Sequence, residues 1–173
     1  MNETINTLIT RRSVRSYSSK PVPDDILEQI LEAGKFAPSG MGRQPVVMVV
    51  VQDNDRISSL SMMNAAVMGA STDPFYGAGT IVIVFADSTA STYLEDGSLV
   101  MGNLMNAAHS LGVDSCWIHR AKEVFETEDG KALMRRWGLD EKYVGIGNCI
   151  LGYSDKPIPE AKPRKTGFVV FDD

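Results

Sequence analysis

Three apolar runs constrain what this chain can fold into. Val46–Val51 reads V-V-M-V-V-V, 80–86 reads T-I-V-I-V-F-A, and 143–151 reads Y-V-G-I-G-N-C-I-L. Each is short, rich in β-branched residues and bounded by proline, glycine or acidic residues, so each reads as a strand, the first two buried on both faces. Between them the apolar period changes to that of a helix. Ile5, Leu8 and Ile9 form a turn or two at the start. Ile26, Ile30 and Ala33, with Leu27, Leu31 and Phe36 beside them, form one face of a helix that opens at Asp24 or Asp25 and stops at Pro38. Asp25 and Glu28 have capping-box spacing. Asp53 opens a further pattern through Ile57, Leu60, Met63 and Val67.

The longest helix is expected from about Asp96 to Leu111, with Val100, Leu104, Ala108 and Leu111 on one stripe and Gly112 as its stop. Its Gly97, Gly102, Ala107 and Ala108 are small enough to let another helix come close. Residues 115–118 make a short strand, and Ala132, Leu133 and Trp137 give a last helical face before Gly138. Gly145 and Gly147 inside the third run suggest a bulge, or a backbone or ring lying against the strand. No linker, repeat or low-complexity stretch interrupts the alternation, so residues 1–173 read as one domain.

Charge narrows the partners. A net charge of −5 argues against a general nucleic-acid binder, which needs a basic face. No apolar run approaches the roughly 20 residues of a membrane span, and residues 1–10 lack the pattern of a signal peptide, so no membrane partner and a cytoplasmic location are expected. Cys116 and Cys149 lie far apart in apolar runs, without C-x-x-C spacing or an adjacent histidine to complete a zinc site. Both read as buried free thiols, with a disulfide as the alternative, and no metal is expected.

Against this acidic background the run R-R-S-V-R at 11–15 stands out. Three guanidiniums and a hydroxyl within five residues make an anion cradle, because arginine presents a planar fork of donors suited to phosphate oxygens. A solvated basic turn is the alternative. The run P-S-G-M-G-R-Q-P at 38–45 brackets two glycines with prolines, which lets the backbone turn tightly and approach a ligand that Ser39 and Gln44 could hydrogen-bond. The tail is basic and proline-rich, with Lys162 and Arg164, and finishes in F-V-V-F, a strand-like end expected to wrap onto another surface, such as a second copy of the chain.

These elements occur in an order that resembles the FMN-dependent nitroreductase family. A helix precedes R-R-S-V-R, then come A-P-S-G-M-G-R-Q-P before a strand, D-G-S-L-V-M-G-N-L-M-N-A-A-H-S-L-G-V-D-S-C-W-I, L-G-Y and a late K-P-R. The resemblance implies an α+β fold with a central, mostly antiparallel sheet flanked by helices, an intertwined homodimer and FMN at the subunit interface. Carried over, Arg11, Arg12 and Ser13 would hold the FMN phosphate with Lys162 and Arg164. Arg15 would lie by the flavin pyrimidine and raise the flavin potential. Pro38, Ser39 and Gly40 of the partner subunit would line the ring edge, with Gln44 in the same loop, and Trp117, Ile118 and His119 would pass the ring where hydride is exchanged. The chain departs from the family pattern on the ring side, at Gly42, Val46 and Gly79.

The resemblance further implies an NAD(P)H-dependent flavin oxidoreductase with a ping-pong mechanism and a small-molecule acceptor such as a nitroaromatic or quinone. Reductive dehalogenation, or flavin or nucleotide binding without turnover, are the alternatives. The chemistry resides on the flavin, so no side chain is assigned as acid, base or nucleophile. His109 reads as a packed or surface histidine and His119 as a site residue through its main chain. Met62, Met63, Met68, Met101 and Met105, with the F-V-V-F end, offer adaptable apolar area for a dimer interface.

Overall fold

A computed structural model of the chain describes residues 1–154 and 156–172. In chain order the elements are α1 (Glu3–Thr10), α2 (Asp24–Lys35), a single 3-10 turn (Gly40–Gly42), β1 (Val46–Val51), α3 (Asn54–Met68), β2 (Thr80–Asp87), α4 (Tyr93–Ser110), β3 (Asp114–Ile118), α5 (Ala121–Glu126), α6 (Glu128–Arg136) and β4 (Tyr143–Gly152). The strands form one sheet in the order β1-β2-β4-β3, each pair antiparallel.

β2 is the spine of the sheet, and its side chains divide between two cores by simple alternation. Ile81, Ile83 and Phe85 face α3, α5 and α6, where they meet Leu60, Val124, Phe125 and Leu133. Val82, Val84 and Ala86 face α2 and α4, where they meet Ile30, Val100, Met101 and Leu104. Both cysteines are free, and they lie on opposite faces: Cys116 belongs to the first core and Cys149 to the second. No disulfide joins them.

The glycines of β4 serve both purposes expected of them. Val84 pairs with Gly147 and Phe85 with Gly145, which leaves Ile146 as the extra residue of a bulge. A Cβ on Gly147 would stand 2.5 Å from Trp117 Nε1, and one on Gly145 would stand 2.7 Å from the Ala121 backbone. The bulged Ile146 presses into α4 at Gly97, where a Cβ would lie 2.5 Å from its Cγ1.

Several expectations are corrected. β1 is half-buried rather than fully buried, because it pairs only with β2 and leaves its outer edge open. The capping box of α2 does not form: the helix starts at Asp24, its N-cap is Pro23, and the Pro23 carbonyl takes the Ile26 and Leu27 amides. α4 begins at Tyr93, a turn before Asp96. The close approach between α2 and α4 is made by Gly34 of α2, whose Cβ would meet Leu104 at 3.0 Å, while Gly102 of α4 faces open space. The F-V-V-F end is not a strand: Phe168, Val169, Val170 and Phe171 are each at least 65% exposed, on a tail without helix or strand among the described residues. Among those residues no helix is long and apolar enough to cross a membrane.

Candidate functional site

The arginine run lies at the β3 edge of the sheet. α1 ends at Thr10, and the chain continues extended from Arg11, its C-cap. Ser13 forms a parallel bridge to Ser115, and the Val14 amide donates to the Ser115 carbonyl at 3.1 Å. α1 is tied to α4 by Thr10, whose hydroxyl donates to the Asn6 carbonyl at 2.7 Å. With its one proton committed there, it accepts from His109 Nε2 at 2.8 Å. His109 is thus a packing residue.

This edge holds polar atoms whose needs the chain does not meet. Arg11 Nη1, Arg12 Nε, Ser115 Oγ and Trp117 Nε1 are buried without a hydrogen-bond partner among the described residues. A buried donor left unpaired costs about 1 to 3 kcal/mol, and native structures rarely tolerate several together. Arg11 and Arg12 directly precede Ser13, the bridge partner of Ser115, so three of the four orphans belong to neighbouring stretches of chain at this edge. They call for a ligand rich in acceptors and negative charge. Arg12 gives part of its guanidinium to closing α1, with Nη1 donating to the carbonyls of Ile9 at 2.9 Å and Arg11 at 2.8 Å. Ser13 lies within hydrogen-bonding reach of the Cys116 thiol. Burial pushes that thiol up, and Arg15, Ser13 and Arg11 pull against the rise. The Arg15 side chain itself is exposed.

Trp117, Ile118 and His119 continue along β3 and just past it. Trp117 lies over Gly147, Ile118 is buried in the α5 face of the sheet, and His119 is exposed. Arg120 adopts a left-handed backbone (φ 78°) and pairs with Glu123 at 2.8 Å, which holds the Glu123 carboxyl below its usual range. The basic tail leaves β4 at Gly152, opposite Asp114, and the Ser154 amide donates to Asp114 Oδ2 at 2.8 Å. It starts beside the arginine run, yet no hydrogen bond or ion pair joins the exposed Lys162 and Arg164 to it among the described residues.

The proline-bracketed loop stands at the opposite edge, immediately before β1. Its conformation is demanding: Met41 (φ 54°), Gly42 (φ 65°) and Gln44 (φ 49°) all lie in the left-handed region. The Gln44 amide donates to Ser39 Oγ at 3.0 Å, which leaves the Ser39 hydroxyl proton for another acceptor. The Gly40 amide donates to Asp96 Oδ1 at 2.9 Å, while Thr92 Oγ1 donates to Asp96 Oδ2 at 2.9 Å. Asp96 is 3% exposed. Gly40 fits closely here, because a Cβ would run into the Thr92 hydroxyl unless that side chain shifted. Pro38, Ser39 and Gln44 line a cavity of about 140 Å³ together with Val46, Met48 and Asp96.

The structure thus joins Arg11, Arg12, Ser13 and Arg15 with the Trp117–His119 segment, and it does not join them with Pro38, Ser39, Gly40 and Gln44. The sheet order puts β1 and β3 at its two outer edges, with β2 and β4 between them. Sequence reasoning missed Ser115, Thr92 and Asp96. Ser115 is an ordinary strand serine until its neighbours are known, and Asp96 looks like any carboxylate suited to the first turn of a helix. The one available signal was the Thr92–Asp96 spacing of four, which stacks the two on one helix face. Among the described residues no group of three or more His, Cys, Asp or Glu could hold a metal ion.

Comparison with known proteins adds an independent line. The model of the nitroreductase family matches residues 8–72 and 66–153. A protein of Archaeoglobus fulgidus, provisionally named as an NADH dehydrogenase/NAD(P)H nitroreductase, is 32% identical over 172 residues, covering 95% of this chain and 94% of its own. An NADPH-flavin oxidoreductase of Vibrio harveyi is 28% identical, covering 98% of this chain and 73% of its own. The crystal structure of a Bacteroides fragilis nitroreductase with bound FMN superposes with a TM-score of 0.92 at 28% identity, over all of both chains.

Proposed function

Because the chain belongs to the nitroreductase family, and is an NAD(P)H-dependent flavin oxidoreductase with FMN as its cofactor, we propose that it reduces a nitroaromatic, quinone or similar small acceptor by a ping-pong sequence. FMN held in this site would supply the hydride exchange between NAD(P)H and the acceptor. The residues at the β3 edge fit the cofactor's phosphate, which is close to dianionic at neutral pH and offers the acceptors that Arg11, Arg12 and Ser115 lack. In this reading Arg11, Arg12 and Ser13 anchor the phosphate, joined by Lys162 and Arg164 when the tail closes over it. Arg15 lies four residues beyond Arg11, past the Ser13 bridge, and in this reading it serves the ring while Arg11 serves the phosphate, with Trp117, Ile118 and His119 passing beside the ring.

One observation supports the assembly: the two proposed halves of the cofactor site lie at opposite edges of a single sheet. In this reading a two-fold partner completes each site by presenting its own Pro38, Ser39, Gly40 and Gln44 to the first chain's arginines. The exposed apolar residues of α1 (Ile5, Leu8, Ile9), the F-V-V-F tail and the open edge of β1 supply surface for such a homodimer. The test is to purify the protein, release FMN by denaturation, and follow NADH and NADPH oxidation with a quinone and a nitroaromatic. The expected result is one FMN per chain, a dimer in light scattering and turnover with an acceptor. A colourless protein that takes up no FMN overturns the functional reading, and an FMN-loaded monomer overturns the assembly.

A further inference from the structure

The ring-side loop is held by a buried carboxylate to which the sequence assigns no role. Asp96, in the first turn of α4, is 3% exposed, and each of its oxygens accepts one hydrogen bond: Oδ1 from the Gly40 amide and Oδ2 from the Thr92 hydroxyl, both at 2.9 Å. Thr92 in turn lies directly under Gly40, where it excludes any side chain. Three residues of the 3-10 turn and its exit, Met41, Gly42 and Gln44, have left-handed backbones, a state that non-glycine residues keep only when their surroundings impose it.

We propose that Asp96 and Thr92 are the positioning pair of the flavin-ring loop, fixing Gly40 so that the free proton of the Ser39 hydroxyl points to an acceptor on the ring edge. This rests on the proposed FMN function. It revises the expected role of Gly40, whose amide is already committed to Asp96 and contributes no donor to the ring. Ser39 is left as the donor, because its oxygen accepts from the Gln44 amide while its proton remains unassigned. The geometry of the ring slot then depends on a carboxylate of α4 that need not touch the flavin.

The experiment uses the full-length holoprotein with Asp96→Ala, Asp96→Asn and Thr92→Val. Three quantities are read: hydrogen exchange of the Gly40 amide, FMN affinity, and visible-region circular dichroism of the bound flavin. Asp96→Ala should speed Gly40 exchange at least tenfold, weaken FMN about three- to tenfold and change the flavin dichroism. Asp96→Asn retains an oxygen acceptor for the Gly40 amide and should restore affinity to within about twofold, together with the parental dichroism. Thr92→Val keeps shape but removes one bond, and should fall between the two. If Asp96→Ala does not fold, the ordering of Asn and Val against the parent decides the matter. Faster Gly40 exchange in the variants with unchanged affinity and dichroism overturns the proposal and leaves Asp96 a purely structural residue. A parental protein that binds no FMN overturns the family-based reading and this proposal with it, and is distinguished by needing no variant to show it.

Discussion

The two edges of the sheet handle their polar groups in opposite ways. At the β3 edge the chain buries Arg11 Nη1, Arg12 Nε and Ser115 Oγ without partners among the described residues. At the β1 edge it assigns a partner even to the amides of a strained loop, with Gly40 bound to Asp96 and Gln44 to Ser39. One edge is unfinished until a ligand arrives and the other is finished in advance. Unmet charge at the first edge favours tight capture of an anion, whereas preset geometry at the second suits a neutral ring that must be placed rather than attracted. In the proposed assembly, affinity and orientation are thus divided between different parts of the fold and between different subunits.

The largest effect would break the comparison at its root. One chain carrying Arg11→Glu and another carrying Gly40→Val should each fail to hold FMN as homodimers. Mixed dimers should regain one FMN per dimer, because one of their two sites then combines an intact arginine edge with an intact loop. Absence of recovery in the mixed dimer, read by bound flavin after co-purification, would put both edges of each site in the same chain. Next in size, Arg11→Ala removes charge-assisted hydrogen bonds worth about 1.5 to 3 kcal/mol and should weaken FMN roughly ten- to a hundredfold in a titration of apoprotein, with little change in flavin potential. Gly40→Ala tests the preset edge: the added methyl meets Thr92, so thermal unfolding should show a loss of about 1 to 3 kcal/mol, as for other overpacked sites. The smallest effect on affinity belongs to Arg15→Ala. It should lower the midpoint potential of the saturated flavin and slow its reduction by NAD(P)H, since a positive charge near the ring is removed. Equal losses of affinity for Arg11→Ala and Arg15→Ala, with unchanged potentials, would merge the two arginines into one phosphate cradle.

How much of these edges is legible in the sequence depends on the range of the forces involved. The strands, the helix stop at Gly112 and the arginine run are written in neighbouring residues, and Gly112 indeed takes a left-handed backbone (φ 73°) after α4. The bulge at Ile146 was legible because two glycines in a β-branched strand have few other uses. Where the decisive partner is distant, local pattern misleads. β1 resembles a central strand in composition, and only the sheet order makes it an edge. Asp25 and Glu28 have the spacing of a capping box, but Pro23 is the N-cap, two residues earlier, and its carbonyl takes the first amides. Asp96 and Gly40 are 56 residues apart in sequence, so nothing local announces their bond. The F-V-V-F tail has strand composition, yet it pairs with no strand among the described residues.

The placement of the cysteines has a further consequence. Trp117 is the register partner of Cys149, and Cys116 sits one residue earlier on the reverse face, so the thickness of the sheet stands between the two sulfurs. No oxidant could couple them without peeling β3 away from β4. Burial pushes the Cys149 thiol up to about 12, so at neutral pH it is protonated and a poor nucleophile. A catalyst whose work is moving electron pairs has kept its own sulfur out of the circuit, and its scaffold should answer to thiol reagents only after it has come apart.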